Sequence, residues 1–179
     1  MAVHPDITDP RHIKVEKPSA IEQLGISMLN DERDLPFLYL MASFSIVVFA
    51  LATLQFYWIS GFWIGVLYSV ILYTQYFGRC ILLLHNTSHR ALFKPAFWAL
   101  NYYIPLVMCP FFGQPMWLYY SHHLGMHHTE GNLEDDLSST MAYQRDSFLH
   151  FAHYWLKFMS RGVVDLIAYL WSHNRKRLA

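Results

Sequence analysis

From Phe37 to Ile59 the chain reads FLYLMASFSIVVFALATLQFYWI, without one charged residue. A helix rises about 1.5 Å per residue, so a run of this length covers the roughly 30 Å of hydrocarbon in a bilayer. Helices buried in soluble domains are usually shorter, and the run predicts a membrane-spanning helix over about 37–59. After the turn-like Ser60-Gly61 a second apolar run extends from Phe62 to Phe77 and, past Arg79, from Cys80 to Leu84. It predicts a second helix over about 62–84, and the two make a transmembrane hairpin.

Charge placement orients that hairpin. Tyr57, Trp58, Phe62 and Trp63 cluster at its tip, where aromatic side chains suit a membrane interface. Lys14, Lys17 and Arg33 precede it and Arg79, Arg90 and Lys94 close it, so both ends are expected to face the cytoplasm. Composition agrees with lipid as the solvent: 54% of the residues are apolar and only 15% charged, against about a quarter in soluble domains. Thirteen basic residues balance thirteen acidic ones, so no global field recruits nucleic acid. Cys80 and Cys109 are too few for a disulfide framework and read as small buried hydrophobes.

Around the hairpin the chain is expected to be helical and interfacial. Residues 1–18, with Pro5, Pro10 and Pro18, read as a flexible polar tail with no secretory signal, and residues 19–179 form the domain. Ser19-x-x-Glu22 has the form of a capping box opening a short amphipathic helix. The apolar stretch Ala96 to Phe112 is broken by Pro105 and Pro110, which favours a re-entrant or in-plane segment over a crossing. Residues 147–171 mix aromatics with charges and predict an interfacial helix. The closing HNRKRLA reads as a basic membrane flank. The fold class is thus an all-α integral membrane protein.

Histidines carry the chemistry. His85-Asn86-Thr87-Ser88-His89 sets two imidazoles four residues apart, and His123-Leu124-Gly125-Met126-His127 repeats the spacing with His128 appended. On a helix such pairs share a face at about 5–6 Å, within reach of one ion. Imidazole without thiolate suits iron, zinc or copper, and neutral rings around a cation are easier to hold together than protonated ones. Asn86 stands where a zincin protease needs glutamate. His122 should point about 100° away from His123, as a ligand to a second metal or as a hydrogen-bonding neighbour. Glu130, Glu134, Asp135 and Asp136 follow at once. They read either as a solvated, capping loop or as carboxylates that steady the far nitrogens of metal-bound rings, and Asn132 is open to the same two readings.

These boxes, H85NTSH89 and H123LGMH127H128, resemble the first two histidine boxes of the membrane fatty acid desaturase and hydroxylase superfamily. The stretch EDDLSSTMAYQRDS at 134–147 resembles the continuation in one branch of it. The resemblance covers roughly residues 37–150. It implies a cytosolic di-iron centre ligated by His85, His89, His123, His127 and His128. On ligand chemistry alone zinc is the alternative metal, and His122 is the less certain ligand. Asn132, Asp135 and Asp136 would support the ligands from outside. It implies O2-dependent desaturation or hydroxylation of a fatty acyl lipid or acyl-CoA, with electrons from cytochrome b5 or ferredoxin. The setting would be a multi-pass protein of the endoplasmic reticulum in a eukaryote, or of the inner membrane in a bacterium. The family's third box, H-x-x-H-H, is not in this sequence; His150-Phe151-Ala152-His153 keeps only H-x-x-H. The chain therefore resembles the N-terminal part of such an enzyme, and a catalytically inactive desaturase-like subunit or fragment is the alternative expectation. Phe93, Trp98, Tyr102, Phe111, Phe112 and Trp117 are candidates to line a tunnel for the acyl chain.

Overall fold

The computed structural model describes residues 17–57, 61–113 and 115–179. The first sixteen residues of the expected tail, and Trp58, Ile59 and Ser60 at the expected hairpin tip, lie outside them. Among the described residues the architecture is helical, with no strand beyond an isolated bridge between Leu29 and Phe93. The chain divides into two compact units, Met1–Asn101 and Tyr102–Ala179.

The first unit opens with α1, Ala20–Met28. Its capping box forms as the sequence predicts: the Glu22 amide donates to the Ser19 hydroxyl and the Ser19 amide donates to the Glu22 carboxylate at 2.7 Å. Two of the four orphan N–H groups of the helix start are thereby satisfied. Next come a 3-10 turn, Glu32–Asp34, and α2, Leu35–Tyr57. α3 then runs from Phe62 to His89, five residues past the end expected for it. Nothing in Leu84–His89 breaks a helix, and the helix stops only where Arg90 adopts an extended conformation. The first histidine box is therefore the last turn of α3.

α2 and α3 are antiparallel. Arg90, just past α3, forms a two-pronged pair with Asp34 at the foot of α2, at 2.5 and 2.6 Å. Midway, the Tyr76 hydroxyl donates to the Ser43 carbonyl at 3.2 Å. Met41, Phe44 and Val48 recur on one face of α2 and are buried, as are Leu72, Tyr76, Cys80, Leu83 and Leu84 of α3. Phe44 packs edge-on against Tyr76 at 5.7 Å. Residues Leu72–Phe77 form a π stretch, which offsets the face before the box. The segment after α3 is tied to the end of α1, with the Asn30 amide donating to the Leu92 carbonyl and the Lys94 amide to that of Met28.

Both α3 and α2 with its preceding turn are long and apolar enough to cross a membrane. Only 22% of each apolar window is buried, whereas a core helix of a soluble protein would be mostly covered. Ile46, Phe56, Phe62, Trp63, Leu67 and Val70 are exposed on their outer surfaces.

The proline-broken stretch forms short pieces, a 3-10 helix Pro95–Tyr102, a π turn Ile104–Met108 and a single turn Cys109–Phe111. None has the length of a crossing. Prolines at 105 and 110 remove backbone donors, so a continuous α ladder cannot form there.

In the second unit α4, Met116–His122, continues into a π turn, His123–His127, and a last turn, His128–Glu130. Gly131 ends it in the left-handed region at φ 61°, and its amide closes on the His127 carbonyl at 2.8 Å. An irregular loop leads to α5, Phe148–Ser172, capped by the Ser147 hydroxyl. Met126, Leu166, Tyr169 and Leu170 form the core of this unit, with Leu118 packed beside them. Phe148, Leu149, Phe151, Trp155 and Met159, on the first half of α5, are exposed.

Candidate metal centre

Each histidine group is described within its own unit. In the first, His85 and His89 lie one α-helical turn apart with ring centroids at 5.0 Å, the side-by-side arrangement that the i, i+4 spacing predicts. Thr87 and Ser88 between them turn their hydroxyls back to helix carbonyls.

In the second unit the expected pair, His123 and His127, is joined by a closer one. The α-helical reading joins His123 to His127 and sends His122 elsewhere. The turn is instead a π turn, in which backbone hydrogen bonds run between residues five apart. His123 and His128 are the close pair, with Nε2 atoms 3.1 Å apart and centroids at 4.4 Å. His123 and His127 stand at 5.9 Å. His122 stacks almost parallel on His127, at 6.0 Å and 5°. A signal for this was in the sequence: two histidine doublets, 122–123 and 127–128, are offset by five residues.

Two ring nitrogens at 3.1 Å either share a hydrogen or face a common cation. Metal–nitrogen bonds of about 2.1 Å meeting at about 95–110° put their nitrogens roughly 3.1–3.4 Å apart, so the pair has the spacing of two ligands on one ion. Histidine nitrogens of this chain gather closely enough to hold a metal ion.

His127 is oriented from behind. Its Nδ1 lies 2.6 Å from Asp136 Oδ2. The same carboxylate accepts the Asn132 amide at 3.0 Å, the Ser138 amide at 2.8 Å and the Ser138 hydroxyl at 2.6 Å. Burial pushes the Asp136 carboxyl up, but the two Ser138 bonds and His127 outweigh it and hold the group below its ordinary range. An ionised carboxylate can only accept, so the hydrogen sits on His127 Nδ1 and leaves Nε2 with a lone pair, the form that binds a metal.

The other acidic candidates have different neighbours. Asp135 and Glu134 are exposed. Glu130 accepts a short hydrogen bond from the Tyr169 hydroxyl, whose pKa is pushed up to about 12 by burial and by that carboxylate. Asn132 acts through its backbone, while its side chain accepts from the Thr140 amide and braces the loop.

His123 is the buried ring of the group, and His122 is half-buried beside it. His122 has an enclosed nitrogen. It meets Phe158 edge-on at 5.7 Å, and its Nε2 is buried with no hydrogen-bond partner among the described residues. Burial first, and His127 second, pull its pKa down, against a smaller opposing pull from Asp136. Both effects favour the neutral ring.

His150 and His153 stand on exposed positions of α5 against Tyr143, at 6.3 and 5.7 Å. His150 Nδ1 already accepts the Gln144 amide at 3.0 Å. Beside them opens a cleft of about 530 Å³, lined by Asp136, Leu137, Met141, Tyr143, Lys157 and Phe158 among others. Of the aromatics expected to line a tunnel, Phe93 and Phe112 are buried and Trp98, Tyr102 and Trp117 exposed. Tyr102, Phe111, Phe112 and Trp117 do not line this cleft.

Sequence reading missed two contributors because nothing local marks them. They are the Tyr169–Glu130 bond and Arg175, which donates to the Gly125 carbonyl. No protein-family model, no curated protein and no solved structure matches this chain.

Proposed function

We propose that the chain is a membrane-embedded oxidoreductase of the histidine-box kind, in which a metal centre oxidises a fatty acyl chain. The observation that carries this reading is the facing pair His123 and His128, with His127 held ready by Asp136. His85 and His89 are assigned to the same centre on the ordered repeat of their spacing in the sequence. α2 and α3 are assigned to the bilayer, with the start of α2 and the histidine-bearing end of α3 on the cytosolic side.

Iron bound there would supply O2 activation and the electrons' point of entry. The residues do the rest. Neutral imidazoles supply lone pairs, Asp136 fixes the direction and tautomer of His127, and the enclosed His122 offers a further nitrogen. Tyr143, Leu137, Met141 and Phe158 give the cleft walls an acyl chain can lie against, and Lys157 can meet an anionic headgroup at its edge. An acyl lipid or acyl-CoA is the substrate class, and cytochrome b5 or ferredoxin the class of electron donor.

A second reading, a catalytically inactive subunit that keeps the half-fold, is favoured by His150 and His153. Their exposed positions beside Tyr143, with one nitrogen already engaged, do not make them a third ligand set.

The experiment is metal analysis of the full chain purified in detergent with ferrous iron, beside His123→Ala, His128→Ala and the remote control Arg161→Gln. The proposal expects bound iron in the unmodified chain and the control, and loss of it in both histidine variants. Iron content that does not respond to either histidine refutes the site. Zinc retained in preference to iron turns the assignment toward a hydrolytic or carrier role. Iron retained without O2 consumption in the presence of acyl substrate and reductant favours the inactive subunit.

A further inference from the structure

The closing HNRKRLA, read from sequence as a membrane flank, also packs back on its own unit. α5 ends at Ser172, and Asn174 adopts the left-handed conformation at φ 62°, which asparagine tolerates better than most residues. The turn is closed by the Arg175 amide, which donates to the Leu170 carbonyl at 2.7 Å. This sends the following residues back along the unit instead of onward.

Three contacts then land on one stripe of the histidine turn. The Arg175 guanidinium donates to the Gly125 carbonyl and, at 2.9 Å, to the Thr129 hydroxyl. The Ser121 hydroxyl donates to the Leu178 carbonyl at 2.6 Å. The Leu178 side chain lies against Gly125, where an added Cβ would sit 3.0 Å from its Cδ1 and 3.4 Å from Leu170. Ser121, Gly125 and Thr129 recur every four residues, a stripe that carries no histidine. The paired rings 122 with 127 and 123 with 128 occupy other stripes.

A π turn is a rare form of backbone, met mostly as a single turn at functional sites. A charged, forked donor placed on the Gly125 carbonyl and on the next turn's Thr129 hydroxyl ties both to one rigid group. The absence of a side chain at Gly125 leaves room for Leu178 to pack there.

We propose that Arg175 is a positioning residue for the histidine turn: with Leu178 it straps the Ser121–Gly125–Thr129 stripe and so holds the π geometry that aligns His123 with His128. The consequence for metal rests on the function proposed above, but the strap itself does not.

The test uses the full chain in detergent, free of metal and then titrated with cobalt(II). Amide hydrogen exchange over residues 121–131 reads the strap without any metal. Arg175→Gln and Thr129→Val should each speed exchange there, the former by about tenfold or more from the loss of a charged hydrogen bond, while α2 and α3 stay protected. Cobalt affinity should fall roughly 10–100-fold in Arg175→Gln, with an altered ligand-field spectrum, and Arg175→Lys should recover part of both. If Arg175→Gln fails to fold, Thr129→Val and Arg175→Lys decide alone. Exchange and cobalt affinity both unchanged in the folded variants overturn the inference. An unmodified chain that binds neither cobalt nor iron overturns the proposed function instead, and the exchange rates still decide whether Arg175 holds the turn.

Discussion

Asp136 Oδ2 lies 2.6 Å from His127 Nδ1, and the carboxylate side chain is fully buried while the ring is about a third exposed. The buried partner is the fixed one, saturated by donors from Asn132 and Ser138, and the ring is the one it aims. Replacing Asp136 by asparagine keeps the shape but removes the charge and puts an amide where some of those donors arrive. Asp136→Asn should weaken metal binding roughly 10–100-fold, in line with other supports behind metal-bound histidines. Metal titration checks it, with circular dichroism to show the helices retained. Full affinity in the variant would remove Asp136 from the site.

Arg90 and Asp34 join the foot of α2 to the residue after the first histidine box. Asp34 is 4% exposed, so Arg90→Met would leave a buried carboxylate without its guanidinium. Unfolding in mixed micelles should show a loss of roughly 1–3 kcal/mol, and Asp34→Asn combined with Arg90→Met should cost less than the single Arg90 change. Additive losses would mean that the pair is not energetically coupled.

The capping box at α1 has a pH dependence of defined sign. The Tyr39 hydroxyl, then the Ser19 amide and hydroxyl, hold the Glu22 carboxyl below its ordinary range. A depressed folded pKa stabilises the helix start at pH above the free-glutamate value of about 4.3 and loses that contribution as pH falls through the folded value. The protection factors of the Ser19 and Gln23 amides, taken relative to the intrinsic exchange rate at each pH, should therefore fall on acidification, and Glu22→Gln should abolish the response. The same acid response in the variant would assign it to another group.

The hairpin assignment predicts sidedness. Both native cysteines are buried, so introduced ones report alone. A membrane-impermeant maleimide should label Trp63→Cys from the outside of intact cells and Lys94→Cys only after permeabilisation. Labelling of both from one side rules out the two-span arrangement.

Much of this protein was legible along the chain. Helix length and apolarity marked α2 and α3, Ser19 and Glu22 marked the start of α1, and the prolines at 105 and 110 marked a broken stretch. These are local properties, set by backbone donors and by the length an apolar run must have. His85 and His89 were placed equally well, since an unbroken α-helix turns the i, i+4 spacing into a distance without help from elsewhere.

The second histidine group is where local periodicity stopped being enough. Whether residues 123–127 wind as α or π depends on what grips the turn from outside, and His123 with His128 rather than His127 follows from that choice. Asp136, nine residues from His127, and Arg175, fifty from Gly125, reach the turn only because the chain folds back on it. The amino-acid order by itself determined which segments are helical and which residues can ligate. Tertiary packing decided which rings face one another, because a spacing of five becomes a contact only when distant donors hold the backbone in the wider turn.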